Sequence, residues 1–200
     1  LQITNTSMGI VAAHAPKTEI RDMVITNAKQ YGIFFTGSDK SEAQKNRISG
    51  SGFAGIAAGD TPNVSIKQNS VTSFNYGIYV FSSTNAKIVS NHVTNAGQTG
   101  ILLANLTRST VKHNTASGSS YGITLGGTNS NTISENTVTN NSTAGILVES
   151  SAAGNTIRKN LLQGNGTDAV DHSTGSQTTG TANIWLRNTC ATSTPAGLCK

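Results

Sequence analysis

The sequence predicts an all-β solenoid of about eight to nine coils, each of 22–23 residues with three short strands, closed by a C-terminal cap. Three columns of residues predict it. Gly-Ile pairs recur at Gly9-Ile10, Gly32-Ile33, Gly55-Ile56, Gly77-Ile78, Gly100-Ile101, Gly122-Ile123 and Gly145-Ile146, at steps of 23, 23, 22, 23, 22 and 23 residues. In register with them run Asn46, Asn69, Asn91, Asn114, Asn136 and Asn160, each two residues before an apolar position (Ile48, Val71, Val93, Ala116, Val138, Leu162). The third column, Ile20, Ala43, Ile66, Ile88, Val111, Ile133 and Ile157, keeps the same step.

Each column justifies one element of the coil. The apolar positions sit in short runs rich in β-branched residues, bounded by Gly, Asn and Ser, which is the signature of brief strands between tight turns. Helix-pair repeats need Leu, Ala, Glu and Lys at 3.6 spacing, and leucine-rich repeats need several Leu per period; neither pattern is present. Stacking successive coils at about 4.8 Å places Ile over Ile in a continuous core column. The Asn column then becomes a ladder at a bend, where amides bond one another and the backbone groups that the turn leaves free. Gly before Ile marks a corner where either a positive φ or a close approach of coils excludes Cβ.

The chain divides into coils at 1–171 and a loosened last coil with its cap at 172–200. A thin stacked core needs few aromatics, and the chain is 35% hydrophobic but only 5% aromatic. Leu1 enters on a strand pattern resembling the middle of a coil, which suggests a trimmed piece or a first coil packed on something. At the other end "HSTGSQTTGTA" stretches the period, and Trp185 replaces a stacked Ile as a plug. Cys190 and Cys199 are read as a disulfide closing the cap, in an oxidising extracellular or periplasmic setting; two buried thiols are the alternative, and a metal site lacks the spacing. No run of apolar residues is long enough to span a membrane.

"NTISENTVTNNSTAGILVESSAAGNTIRKN" at 131–160 resembles the repeat of the right-handed parallel β-helix proteins, and the likeness covers nearly the whole chain. That resemblance implies a secreted carbohydrate-binding or polysaccharide-processing domain. It does not choose among the lyases, hydrolases, epimerases, adhesins and accessory proteins built on one scaffold.

Function then lies on outward columns. Val11, Phe34, Ala57, Tyr79, Leu102, Thr124 and Leu147 form an apolar stripe, either covered by flanking loops such as 37–46 or exposed to another subunit or to sugar rings stacking on Phe34 and Tyr79. Just before the Asn column, Arg21, Lys45, Lys67, Lys112, Arg158 and Lys159 gather on one edge of a chain with net charge +5. That edge suits an acidic, uronate-type polysaccharide, with Lys67, Arg158, Lys159 and His92 as binding residues; solvated charge is the alternative. Nucleic acid is not expected, because no aromatics interleave with the charges.

His113 and Glu135 fall on adjacent coils beside Lys112. They form a candidate acid-base pair for elimination or glycoside chemistry on a uronate, or else a surface ion pair. Against the β-helix enzyme families the chain lacks the clustered Asp of calcium-dependent pectate lyases, the Asp-Asp pair of the glycoside hydrolases and the Asp-Pro-His-Asp motif of alginate epimerases, so no cofactor is expected and calcium is unsupported. Asp171-His172 is read as a turn. A non-catalytic structural, adhesive or filament-forming rod is the other reading, self-associating through the stripe or the first coil. Ice binding on the Thr and Ser column (Thr4, Thr26, Ser49, Thr72, Thr94, Ser117, Thr139) is a distant third.

Overall fold

The computed structural model describes residues 1–199. Its strands assemble into three parallel sheets of eight, nine and eight strands that run the length of the molecule as the three faces of a solenoid. One coil illustrates all of them: Ser70–Thr72 belongs to sheet I, Tyr76–Phe81 to sheet II and Lys87–Val89 to sheet III. The register carries the repeat faithfully, with Ile56, Ile78, Ile101 and Ile123 paired in succession along sheet II. Ile66, Ile88 and Val111 do the same in sheet III, and Ile48, Val71 and Val93 in sheet I. All ten are 2% exposed or less, so three aliphatic columns meet in a dry core.

The corner between sheets III and I fixes the coil. At each level one residue adopts a left-handed conformation: Asp22, Lys45, Gln68, Ser90, His113, Glu135, Lys159 and Arg187 have φ between 54° and 58°. Seven of these eight immediately precede a buried Asn. A side chain other than Gly costs on the order of 1 kcal/mol in that conformation, and the ladder that follows offsets it. Asn91 donates its backbone N–H and its Nδ2 to Asn114 Oδ1 at 2.8 and 2.9 Å, and Asn114 Nδ2 donates in turn to Asn136 Oδ1 at 3.0 Å and to the Ile88 carbonyl at 2.8 Å. The chain of amides continues from Asn46 to Asn188.

Two further ladders, which the periodicity argument did not find, fill the other corners toward the C-terminal end. Asn131, Asn155 and Asn183 link sheets II and III; Ser119, Asn141 and Asn165 link sheets I and II. In earlier coils Ser or Thr hydroxyls serve instead, as where Ala86 N–H donates to Ser109 Oγ at 3.0 Å. Of the two readings of the outward stripe, cover by residues 37–46 is the one not met, because that segment turns the corner into sheet III. Ser38 and Ser41 are buried at the corner, accepting from the backbone of Ala15 and Thr18, and Glu42–Gln44 enters sheet III.

The Gly-Ile glycines resolve in favour of close approach: none of the seven has a positive φ. A Cβ at Gly55 or Gly77 would overlap the Val71 or Val93 side chain of the core and crowd the carbonyl of the next Gly.

The C-terminal end is sealed by polar groups held in the core. Asp171, expected in a turn, is instead the last residue of the strand Thr167–Asp171 and is only 3% exposed. It accepts from Trp185 Nε1 at 2.8 Å, Asn183 Nδ2 at 3.2 Å and both the N–H and Oγ of Ser173. Trp185 pairs with Ile157, so it plugs the third core column as expected. Cys190 and Cys199 form the disulfide, with Cα atoms 5.2 Å apart, and fully buried Leu198 precedes the second cysteine. Burial pushes the Asp168 carboxyl up, but donors from the Asn165 side chain and the Ala191, Thr192 and Asn165 backbones outweigh it and hold the group below its ordinary value of 3.8.

Two outcomes follow for stability. Replacing Asn114 by Ala removes the acceptor of the Asn91 backbone N–H and of one Nδ2 proton, together with the side-chain donor to the Ile88 carbonyl, and is expected to cost about 2–4 kcal/mol in urea denaturation. A loss under 0.5 kcal/mol would contradict the ladder's role. Because Asp168 titrates lower in the folded than in the unfolded chain, its stabilisation is complete above the unfolded value and is lost as pH falls through the folded one. The cap should loosen as pH falls below the ordinary carboxylate value of 3.8, and Asp168→Asn should flatten that part of the stability curve.

Candidate functional site

The outer face of sheet II is built from three outward columns. Tyr31, Ala54, Tyr76, Thr99 and Tyr121 stand directly before the glycines; Phe34, Ala57, Tyr79, Leu102, Thr124 and Leu147 follow in the middle; Thr36, Gly59, Phe81, Ala104 and Gly126 close the strand. Parallel pairing stacks these columns coil on coil, but Ala54 and Ala57 separate the rings of Tyr31–Thr36 from those of Tyr76–Phe81, so the stacks form within a strand. Tyr31 and Phe34 stack at 4.8 Å, Tyr79 and Phe81 at 4.9 Å, and Phe53 bridges the two groups by edge contacts with Tyr31, Tyr76 and Tyr79 at 5.0–5.9 Å. Ala57, between Phe34 and Tyr79 in register, is fully buried. The Phe81 ring lies where a Cβ of Gly59 would stand, so that glycine lets the ring lie flat on the sheet.

The rings form one platform, partly exposed, with Phe53 41% accessible at its centre. Burial, and then the neighbouring phenols of Tyr76 and Tyr31, raise the Tyr79 phenol, so it remains a neutral hydroxyl at physiological pH.

Beyond the platform the outward columns become small, and a cleft of about 300 Å³ opens between Tyr76 and Tyr121 on one side and Glu149 on the other. Leu102, Thr124 and Leu147 are successive rungs along it. Thr124 is 4% exposed, and its Oγ1 has no hydrogen-bond partner in the protein. An orphaned buried hydroxyl is costly and calls for an explanation. A second cavity of about 290 Å³, lined by Tyr121, Leu147, His172 and Thr194 among others, extends the groove toward the cap.

The structure separates the residues proposed from the sequence. Phe34 and Tyr79 belong to the sheet II platform. His113, Glu135 and Lys159 occupy the left-handed corner between sheets III and I, across the coil from sheet II. Lys67, Lys112 and Arg158 end strands of sheet III, and His92 begins a strand of sheet I. Platform and basic edge therefore do not share a site.

At the corner, Glu135 is 3.4 Å from His113 Nε2 and 3.5 Å from Lys112 Nζ, and Glu42 takes Lys67 at 2.8 Å. Lys67 and Lys112 are thus neutralised locally, as Arg21 is by Glu19, while Lys45, Arg158 and Lys159 have no carboxylate partner among the described residues. Among those residues, no group of three or more His, Cys, Asp or Glu side chains is placed to hold a metal, and no helix is long and apolar enough to cross a membrane.

The sequence signal for the missed platform residues was present: Tyr31, Tyr76 and Tyr121 all read Tyr-Gly-Ile. Glu149 gave no such signal, because its place depends on Gly126 one coil below.

A solenoid of this register, with a ringed face and a groove, defines a class. The family profile described as a right handed beta helix region matches residues 1–138 and 119–191, and the chain belongs to that family. Among solved structures, the periplasmic alginate epimerase AlgG is 22% identical, with TM-score 0.69, over 78% of this chain and 38% of its own. DFA-IIIase from Arthrobacter chlorophenolicus A6 in complex with DFA-III is 13% identical, with TM-score 0.71, over 81% of this chain and 45% of its own. XylC in complex with xylose is 17% identical, with TM-score 0.60, over 75% of this chain and 28% of its own. The chain thus spans less than half the length of these neighbours, and at such identity the likeness is one of fold. No curated protein matches the sequence.

Because His113 and Glu135 are each about a third to a half exposed, their pairing is worth well under 1 kcal/mol. Glu135→Gln should leave the urea midpoint nearly unchanged. A loss above about 1.5 kcal/mol would mark the pair as part of the corner's framework.

Proposed function

We propose that this chain is a carbohydrate-binding β-helix domain that holds a polysaccharide along the outer face of sheet II. The observation that carries the reading is the platform of Tyr31, Phe34, Phe53, Tyr76, Tyr79 and Phe81 leading into a groove. Pyranose rings present apolar C–H faces that stack on aromatics, while their hydroxyls need the polar groups of a groove wall. A glycan lying along the solenoid meets an equivalent strand about every 4.8 Å, so successive sugars find repeated contacts. The alginate epimerase and the xylose-bound XylC support a carbohydrate ligand. The disulfide is consistent with a secreted protein. Epimerase chemistry gains no support from the sequence, which has no Asp-Pro-His-Asp motif.

A second reading rests on the unpaired cations Arg158 and Lys159. The corner between sheets III and I would hold a uronate polymer there, with His113, Glu135 and Lys112 as the acid-base group. The two readings predict different behaviour. Phe53→Ala with Tyr79→Ala should weaken retention on a polysaccharide matrix by on the order of tenfold at any salt concentration, since stacking is unscreened.

Binding at the basic corner should instead fall steeply as salt shortens the reach of each charge to about 8 Å at physiological ionic strength. It should also vanish when Arg158 and Lys159 are both changed to Glu. Release of unsaturated product that His113→Ala abolishes would establish catalysis at the corner. No retention on any of alginate, polygalacturonate, xylan, cellulose or chitosan would refute carbohydrate binding and leave a structural rod.

A further inference from the structure

The geometry points to the sheet II cleft as a subsite for an amino sugar with a free ammonium group, with Glu149 as its specificity determinant. The inference rests on the carbohydrate reading and sharpens it. Glu149 is exposed, forms no ion pair among the described residues, and is the one charged side chain lining the cleft. Its carboxylate lies over Gly126: a Cβ built there would stand 2.7 Å from Oε2. The glycine therefore leaves the carboxylate room to lie over the strand at the cleft wall.

Tyr76 and Tyr121 line the same cleft, and aromatic ring faces attract a cation. The Tyr76 hydroxyl donates to Gln98 Oε1 at 2.6 Å, which fixes that amide and leaves its Nε2 free to donate to a sugar oxygen. Thr124 lines the cleft with its Oγ1 buried and partnerless, and a χ1 rotation would turn that hydroxyl to the ligand as a second polar contact. Carboxylate, aromatic faces and hydroxyl partners together match an ammonium-bearing pyranose. A uronate would set its own carboxylate against Glu149 with no cation in the cleft to offset the repulsion.

Titration calorimetry of the full chain with glucosamine, glucose and galacturonate oligomers of equal length tests this. The wild type should prefer the glucosamine oligomer over the glucose oligomer by on the order of tenfold, as for one charge-assisted contact. Glu149→Gln should abolish that preference, so that the glucosamine and glucose oligomers bind with equal affinity. Gly126→Ala, which displaces the carboxylate but keeps its charge, should reduce the preference in part. Equal binding of the glucosamine and glucose oligomers by the wild type, or an unchanged preference in Glu149→Gln, would overturn the assignment and leave the platform reading intact. Absence of binding by all three oligomers, with no effect of the Phe53 and Tyr79 substitutions, would instead remove the carbohydrate reading on which it depends.

Discussion

Every strand except those at the two ends takes its hydrogen bonds from the coil before it and the coil after it, so a single constraint governs the molecule: each turn of chain must return to the same place. The buried Asn ladder between sheets III and I enforces that return. Between the ends of the ladder each Asn Oδ1 accepts two donors from the preceding coil, and each Nδ2 reaches both the next Asn and a carbonyl of sheet III. A buried amide has four hydrogen-bonding needs, and stacking meets them only if the coils stay in register. The core columns profit from this registration. Aliphatic side chains alone would tolerate slippage by a coil's width; the ladder does not.

Variation in coil length is therefore looped out between ladder positions, and the ladders close again after it, as where Asn155 meets Asn183. The step between Asn160 and Asn188 is 28 residues, against 22–24 earlier. The additional residues lie between sheets II and III, where Ser173 and Asn183 turn inward to bond Asp171. The cap thus uses the longest excursion of the chain to satisfy a carboxyl buried at the end of the core.

The coil period, the three core columns and the first Asn ladder were legible in the sequence because each repeats in nearly every coil. The disulfide and the Trp185 plug could be read from their departure from the period. Two Asn ladders were missed because Ser109 and Ala86 precede Asn131, and Ser119 and Ala96 precede Asn141, in their columns, so the amide does not recur in the early coils and only the serine hydroxyls stand in for it. The candidate site was half legible. Phe34 and Tyr79 were found by alternation, and Tyr31, Tyr76 and Tyr121 could have been found from the column before Gly. The position of Glu149, and the orphaned hydroxyl of Thr124, depend on which neighbours one coil away are small. The basic edge was correctly placed in space, but pairing of Lys67 with Glu42 and Lys112 with Glu135 is a matter of side-chain reach that columns of letters do not reveal.

The left-handed corner residues have an evolutionary consequence. Asp22, Lys45, Gln68, Ser90, His113, Glu135, Lys159 and Arg187 share one backbone conformation and almost nothing else. Their side chains point away from the ladder that holds the corner, so acidic, basic, neutral and imidazole groups are all admitted. Such a row is a writable strip: mutation can change the charge pattern on one edge coil by coil without renegotiating the core. The ringed face is coupled to glycines on neighbouring coils and has no such freedom. Divergence among solenoids of this kind should therefore run faster along the corner than across the ringed face.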